Sequence, residues 1–259
     1  MIDITTIFGL VLAFGSLVAG ILIEGGNLMS YVGVSAAIII FGGTIGAVVV
    51  SFPMKALATV PRLLVIAFTE QVHDIPEVIK RLVGFSERAR REGILCLESE
   101  LANAEDEFLK SGLQLVIDGT DPVLVRDTLE TKIAFIAERH HQGAGVIEAA
   151  GGYAPTMGIV GTVLGLINVL SNIKNPSELA GAIALAFIAT LYGIASANLV
   201  WLPLASKLKT KHEHEQLVKH IMLEGILSLQ SGDNPRIVDQ KLKAFLSRGF
   251  AKNITAFAK

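Results

Sequence analysis

Four stretches of the chain are apolar over lengths close to the ~20 residues that cross ~30 Å of hydrocarbon. They run from Ile4 to Ile23, Leu28 to Val50, Val146 to Leu170 and Leu179 to Leu204. The third carries Glu148 near its start and Pro155 within it. Glu24-Gly25-Gly26-Asn27 joins the first two, and Ser171 to Glu178, holding Lys174 and Pro176, joins the last two. The pattern predicts two transmembrane hairpins. No basic segment precedes the first span, so it reads as a retained helix and not a signal peptide.

The polar segments read as helices. Ile94, Leu97, Leu101, Ala104 and Phe108 recur at alternating three- and four-residue steps, which predicts one apolar face of a helix starting near Ser86. Asp121-Pro122 forms an N-cap with proline at the first helical position. Val125, Leu129, Ile133 and Ile136 then stripe a helix that can run through Glu138 into the third span. Leu217, Ile221 and Gly225 continue the fourth span, Asn234-Pro235 breaks it, and Leu242, Phe245 and Leu246 stripe a last helix. No segment alternates as a strand would. The expected fold is an all-α integral membrane protein, with four transmembrane helices in two hairpins and a helical cytoplasmic domain. Its expected parts are a first hairpin (1–50), a cytoplasmic helical domain (51–145), a second hairpin (146–204) and a cytoplasmic tail (205–259).

Composition supports the bilayer. Charged residues are 18% of the 259, against ~25% in soluble domains, and the mean hydropathy is +0.56. Of 22 Lys and Arg, 11 lie in Ser51–Gly145 and 10 in Ala205–Lys259. The positive-inside rule therefore places both segments, and both termini, in the cytoplasm, with the hairpin tips outside a plasma membrane. Net charge of −2 gives no basic field for nucleic acid, and the single Cys96 excludes an internal disulfide. Trp201 reads either as an interfacial anchor or as an ordinary apolar residue.

The spans lack ionisable groups except Glu148. Intramembrane proton relays need such a group near mid-membrane, so either the chain moves no protons or a partner brings the carboxylate. Pro155, Gly158, Thr162 and Gly165 share one helix face, as do Ala186, Thr190, Gly193 and Ala197. Each face is small and carries one hydroxyl. Pro155 also frees the carbonyl of Gly151. Two readings stand: these groups solvate a cation or water, or the faces simply pack closely. Gly42-xxx-Gly46 and Gly161-xxx-Gly165 match a common helix-contact motif. Arg88, Arg90, Arg91, Glu92 and Glu98 read as a solvated charged face, and His212-Glu213-His214 as surface without metal geometry. No phosphate loop, nucleophile elbow or zinc motif is present, so neither an enzyme nor a bound cofactor is expected.

Several stretches in order carry a resemblance: Arg90-Arg91-Glu92-Gly93-Ile94-Leu95-Cys96-Leu97-Glu98, Ala154 through Leu166, Ala189-Thr190-Leu191-Tyr192-Gly193, and Glu224-Gly225-Ile226-Leu227 to Asn234-Pro235-Arg236. With them, essentially the whole chain resembles the stator branch of the MotA/TolQ/ExbB family. The resemblance implies a flagellar motor stator subunit that converts ion flow into rotor torque. It implies a homo-oligomer, a pentamer, around a dimer of a single-span MotB-like subunit carrying the membrane Asp. It also implies a cytoplasmic partner, the rotor switch protein. Residue by residue, Pro155 matches the proline beside the ion path and Thr190 the hydroxyl facing the partner carboxylate. Thr162 matches a threonine of sodium-type members, and Pro203 the proline at the inner end of the fourth span. Arg90 and Glu98 match the rotor-binding charges. Ala189 stands where sodium-type members have threonine, which favours H+ over Na+ as coupling ion. The alternative function is a TolQ/ExbB-like energiser of envelope transport, a class that normally has three spans.

Overall fold

The computed structural model describes residues 3–70, 74–101, 106–171 and 176–246. Among the described residues every regular element is helical. Four helical stretches are long and apolar enough to cross a membrane: Ile4–Ile23, Leu28–Ser51, Pro122–Ser171 and Leu179–Gln230. The chain forms two compact units, Met1–Gln71 with His140–Thr210, and Val72–Arg139 with Lys211–Lys259.

The first unit holds the apolar spans. Helix α1 (Ile4–Ile23) starts at Asp3, whose carboxylate accepts the amide of Thr6 at 3.2 Å, and buries none of its residues against the rest of the chain. It ends at Glu24, before Gly25 at φ +75°. The second span is not one helix. A 3₁₀ turn (Leu28–Tyr31) is followed by α2 (Val34–Ala37), a π turn (Ile38–Gly42) and α3 (Gly43–Ser51). Backbone broken inside a membrane needs its polar groups satisfied from elsewhere. Tyr192 of the fourth span does this, since its hydroxyl accepts from the Gly33 amide at 3.2 Å and donates to the Tyr31 carbonyl at 2.7 Å. Two short helices, α4 (Met54–Leu57) and α5 (Val60–Phe68), follow. Ala67 of α5 shares an apolar core with Ala144, Ile147, Leu204 and Leu208.

The second unit has a larger apolar core. Helix α6 (Ile75–Glu92) ends at Gly93, whose φ of +83° no other residue adopts cheaply. A 3₁₀ turn (Ile94–Leu97), α7 (Glu98–Leu101) and α8 (Glu107–Ile117) come next. The single helix expected from near Ser86 through Phe108 is therefore several pieces, and Ser86 lies within α6. Ala104 of that expected stripe lies outside the described residues. Leu97, Leu101 and Phe108 of the expected stripe still reach one core, although Gly93 turns the backbone ahead of them.

Helix α9 (Pro122–Ser171) runs 50 residues without a break, as the continuous stripe predicts. Of the Ser171–Glu178 connection, residues 172–175 lie outside the described residues, and Pro176 already opens the next helix. Helix α10 (Pro176–Ser196), a π turn (Ala197–Trp201) and α11 (Leu202–Gln230) form the other long helical run. Asn234 caps α12 (Pro235–Lys243) by accepting the Arg236 amide at 3.0 Å, and a 3₁₀ turn (Ala244–Leu246) follows. In the second unit Leu82, Leu113, Leu129, Ile226 and Leu242 are fully buried together. Trp201 is half-buried. It packs on Val48, Val146 and Ala150, and its ring nitrogen is buried.

Candidate ion-path site between the third and fourth spans

The two small-residue faces read from the sequence meet each other. A methyl group added at Gly193 would lie 2.6 Å from the Ala154 carbonyl oxygen, and one at Gly158 would lie 3.3 Å from Thr190 Cα. One at Gly161 or Gly165 would lie 2.7 Å from the methyl of Ala189 or Ala186. Close approach of backbones is what glycine provides between membrane helices. Packing is thus one role of these faces.

Closeness also brings the hydroxyls together. Thr162 and Thr190 share a hydrogen bond through their Oγ1 atoms, either of which can donate. Thr162 Oγ1 also sits 3.0 Å from both the Gly158 and Ala186 carbonyl oxygens. A threonine has one proton and two lone pairs. If Thr162 gives its proton to a carbonyl, Thr190 donates to Thr162, and the Thr190 lone pairs stay available. Both side chains are half-buried. Pro155 lies within the same α9 segment, one turn from Gly158, also half-buried.

Pro203 is exposed in the first turn of α11, directly after the π turn. Lacking an amide proton, it cannot complete the ladder, and a π turn re-registers the backbone just ahead of it. Two lysines follow on the same helix. Lys207 pairs with Asp3 at 2.6 Å and Lys209 with Glu148 at 2.7 Å. Burial works to raise the Asp3 pKa, yet bonds from Lys207, Thr5 and the Thr6 amide outweigh it and hold the carboxyl far below the usual range. Neither pair was read from the sequence. Their partners are remote along the chain, and no local spacing announces them.

The charged face lies in the second unit. Arg90, in the last turn of α6, and Glu98, at the start of α7, are both exposed. Arg88 forms an ion pair with Glu100, tying α6 to α7 across the Gly93 turn. Arg90 and Glu98 thus stand on different helices and do not share one helix face.

Residues 100–221 match the MotA/TolQ/ExbB proton channel family, and residues 7–93 match the Motility protein A N-terminal family. Motility protein A of Bacillus subtilis is 39% identical over 245 residues, covering 94% of this chain and 91% of that protein. Chemotaxis protein PomA of Vibrio alginolyticus is 35% identical, covering 95% and 96%. The structure of the flagellar MotAB stator complex from Bacillus subtilis matches with a TM-score of 0.90 at 39% identity, covering 99% of this chain and 100% of that one. The close-packed third and fourth spans and the matches along both halves agree: this chain belongs to the MotA/TolQ/ExbB proton channel family.

Proposed function

We propose that this chain, a flagellar stator subunit by its family and relatives, forms its ion channel with a MotB-like single-span subunit. The observation that carries this reading is the Thr162–Thr190 pair on two tightly packed spans that hold no ionisable group at their middle. Hydroxyls and a proline-freed carbonyl can pass an ion along, but they cannot hold a proton at neutral pH. A carboxylate must come from the partner. Thr190, with lone pairs to spare, is the group that faces it, and Pro155 shapes the helix beside it.

Five copies surround a dimer of that partner, as the family resemblance implies. The two lysine- and arginine-rich segments, and both termini, lie in the cytoplasm. There Arg90 and Glu98 meet the rotor switch protein, and Pro203 couples the ion step to movement of the fourth helix. The coupling ion is the proton. Ala189 is buried and its methyl meets Gly161, so a further hydroxyl is absent where sodium would need one. A complete first hairpin, matched over residues 7–93 by the Motility protein A N-terminal family, favours a stator over an envelope energiser.

The test is conduction and swimming of cells expressing this chain with and without the partner, across sodium concentrations and with a protonophore. Flux that needs the partner and collapses with the protonophore supports the reading. Flux from this chain alone overturns the partner carboxylate, and protonophore-resistant, sodium-dependent swimming overturns the proton.

A further inference from the structure

Glu148 is the sole carboxylate within the four apolar stretches. Its side chain is 49% exposed, while Ile147 and Ala150 beside it are buried. It lies seven residues before Pro155, with Thr162 a further seven on. A seven-residue step returns an α-helix to within ~20° of the same face, ~10 Å along the axis. The three residues therefore share one half-open edge of α9. From the helix that follows Pro203, Lys209 Nζ donates to Glu148 Oε1 at 2.7 Å, and its own side chain is 42% exposed.

We propose that Glu148 is the exit site of the ion path, a monovalent-cation site that Lys209 holds closed between transits. The inference rests on the ion-path reading given above. A cation leaving the hydroxyls has no formal negative charge within this chain's spans before it reaches Glu148. There a proton adds to a carboxylate oxygen. The Lys209 ammonium, which competes for the same oxygens, swings into water, and the proton leaves to water before Lys209 returns. Half-exposed pairs are weak, so an arriving cation displaces the lysine easily. A stronger, buried pair would block the exit.

The test uses the full stator complex with its partner subunit, reading ion flux and motor torque for Glu148→Gln, Glu148→Asp, Lys209→Gln and the swap Glu148→Lys with Lys209→Glu. Co-purification of the partner reports assembly. Glu148→Gln lowers flux about tenfold, the scale of one lost charge-assisted contact. Glu148→Asp retains most of the flux, Lys209→Gln keeps or raises it, and the swap does not restore it. The proposal is overturned if Glu148→Gln conducts like the unmodified complex. It is also overturned if Glu148→Gln and Lys209→Gln lose flux together and the swap restores both, because the pair is then a staple between α9 and α11. An unmodified complex that conducts nothing overturns the ion-path reading itself, and this inference with it.

Discussion

Thr162 and Thr190 share a hydrogen bond across the third and fourth spans, and the glycines around them make that bond possible. Gly158, Gly161, Gly165 and Gly193 each hold a backbone or methyl contact that any Cβ would crowd. Packing and polar chemistry are therefore not rival accounts of this face. The small residues bring the helices close, and closeness pairs the hydroxyls. Thr190→Val keeps the shape and removes the hydroxyl, and a neutral hydrogen bond is worth only ~1 kcal/mol, so the complex assembles. Ion flux and swimming nonetheless fall sharply. Normal swimming in assembled Thr190→Val complexes leaves the face with a packing role alone.

Gly193→Ala tests the packing half. Its new methyl would lie 2.6 Å from the Ala154 carbonyl oxygen, and backbone cannot step aside as a flexible side chain can. Overpacking of this kind costs ~1–3 kcal/mol. The expected result is a lower melting temperature in detergent, read by circular dichroism. An unchanged melt means the spans are less tightly held than their separation implies. Gly152→Ala, where nothing lies within 4 Å, is the control.

Arg90 and Glu98 are exposed on separate helices, with Gly93 between them at φ +83°. Reversing Arg90 to Glu leaves membrane content unchanged and impairs torque, measured on tethered cells. Single neutralisations are mild, since exposed charges contribute ~0–1 kcal/mol each. If reversing both charges leaves torque unchanged, the patch is ordinary solvated surface.

The second unit holds a largely buried lysine paired with a half-buried acid, with a clear pH signature. Lys219 is 8% exposed and bonds Asp106 at 2.7 Å, while Asp106 also caps α8 by accepting the Phe108 and Leu109 amides. Burial works to raise the Asp106 pKa, but the Lys219 bond and the two amides outweigh it and hold the carboxyl below its usual value. A depressed acid contributes stability that is present above its unfolded value near ~3.9 and lost as pH falls through the folded one. Asp106→Ala strands the lysine and costs ~3–5 kcal/mol at neutral pH. Its melting temperature should approach that of the unmodified protein only well below pH ~4. A constant gap across that range contradicts the pairing.

Topology is checked with cysteines after Cys96 is replaced. A membrane-impermeant reagent labels Gly26→Cys in intact cells and leaves Asp239→Cys untouched. External labelling of Asp239→Cys inverts the orientation.

Hydropathy and small-residue spacing by themselves determined the four spans, the unbroken helix through Glu138, the small faces and the missing mid-membrane acid. These follow from local composition and a 3.6-residue period, which are written along the chain. The same period misled between Ser86 and Phe108. Gly93 turns the backbone there while Leu97, Leu101 and Phe108 still find one core, so the shared core was kept and helix continuity was not. Tertiary structure alone decided that the two small faces meet, that Tyr192 repairs the broken second span, and that Lys207, Lys209 and Lys219 each close on an acid far away in sequence. A lysine's partner depends on which helix packs beside it, and a broken helix is tolerated only where a neighbour supplies the lost hydrogen bonds. Both are properties of the packed fold, which no local window of sequence contains.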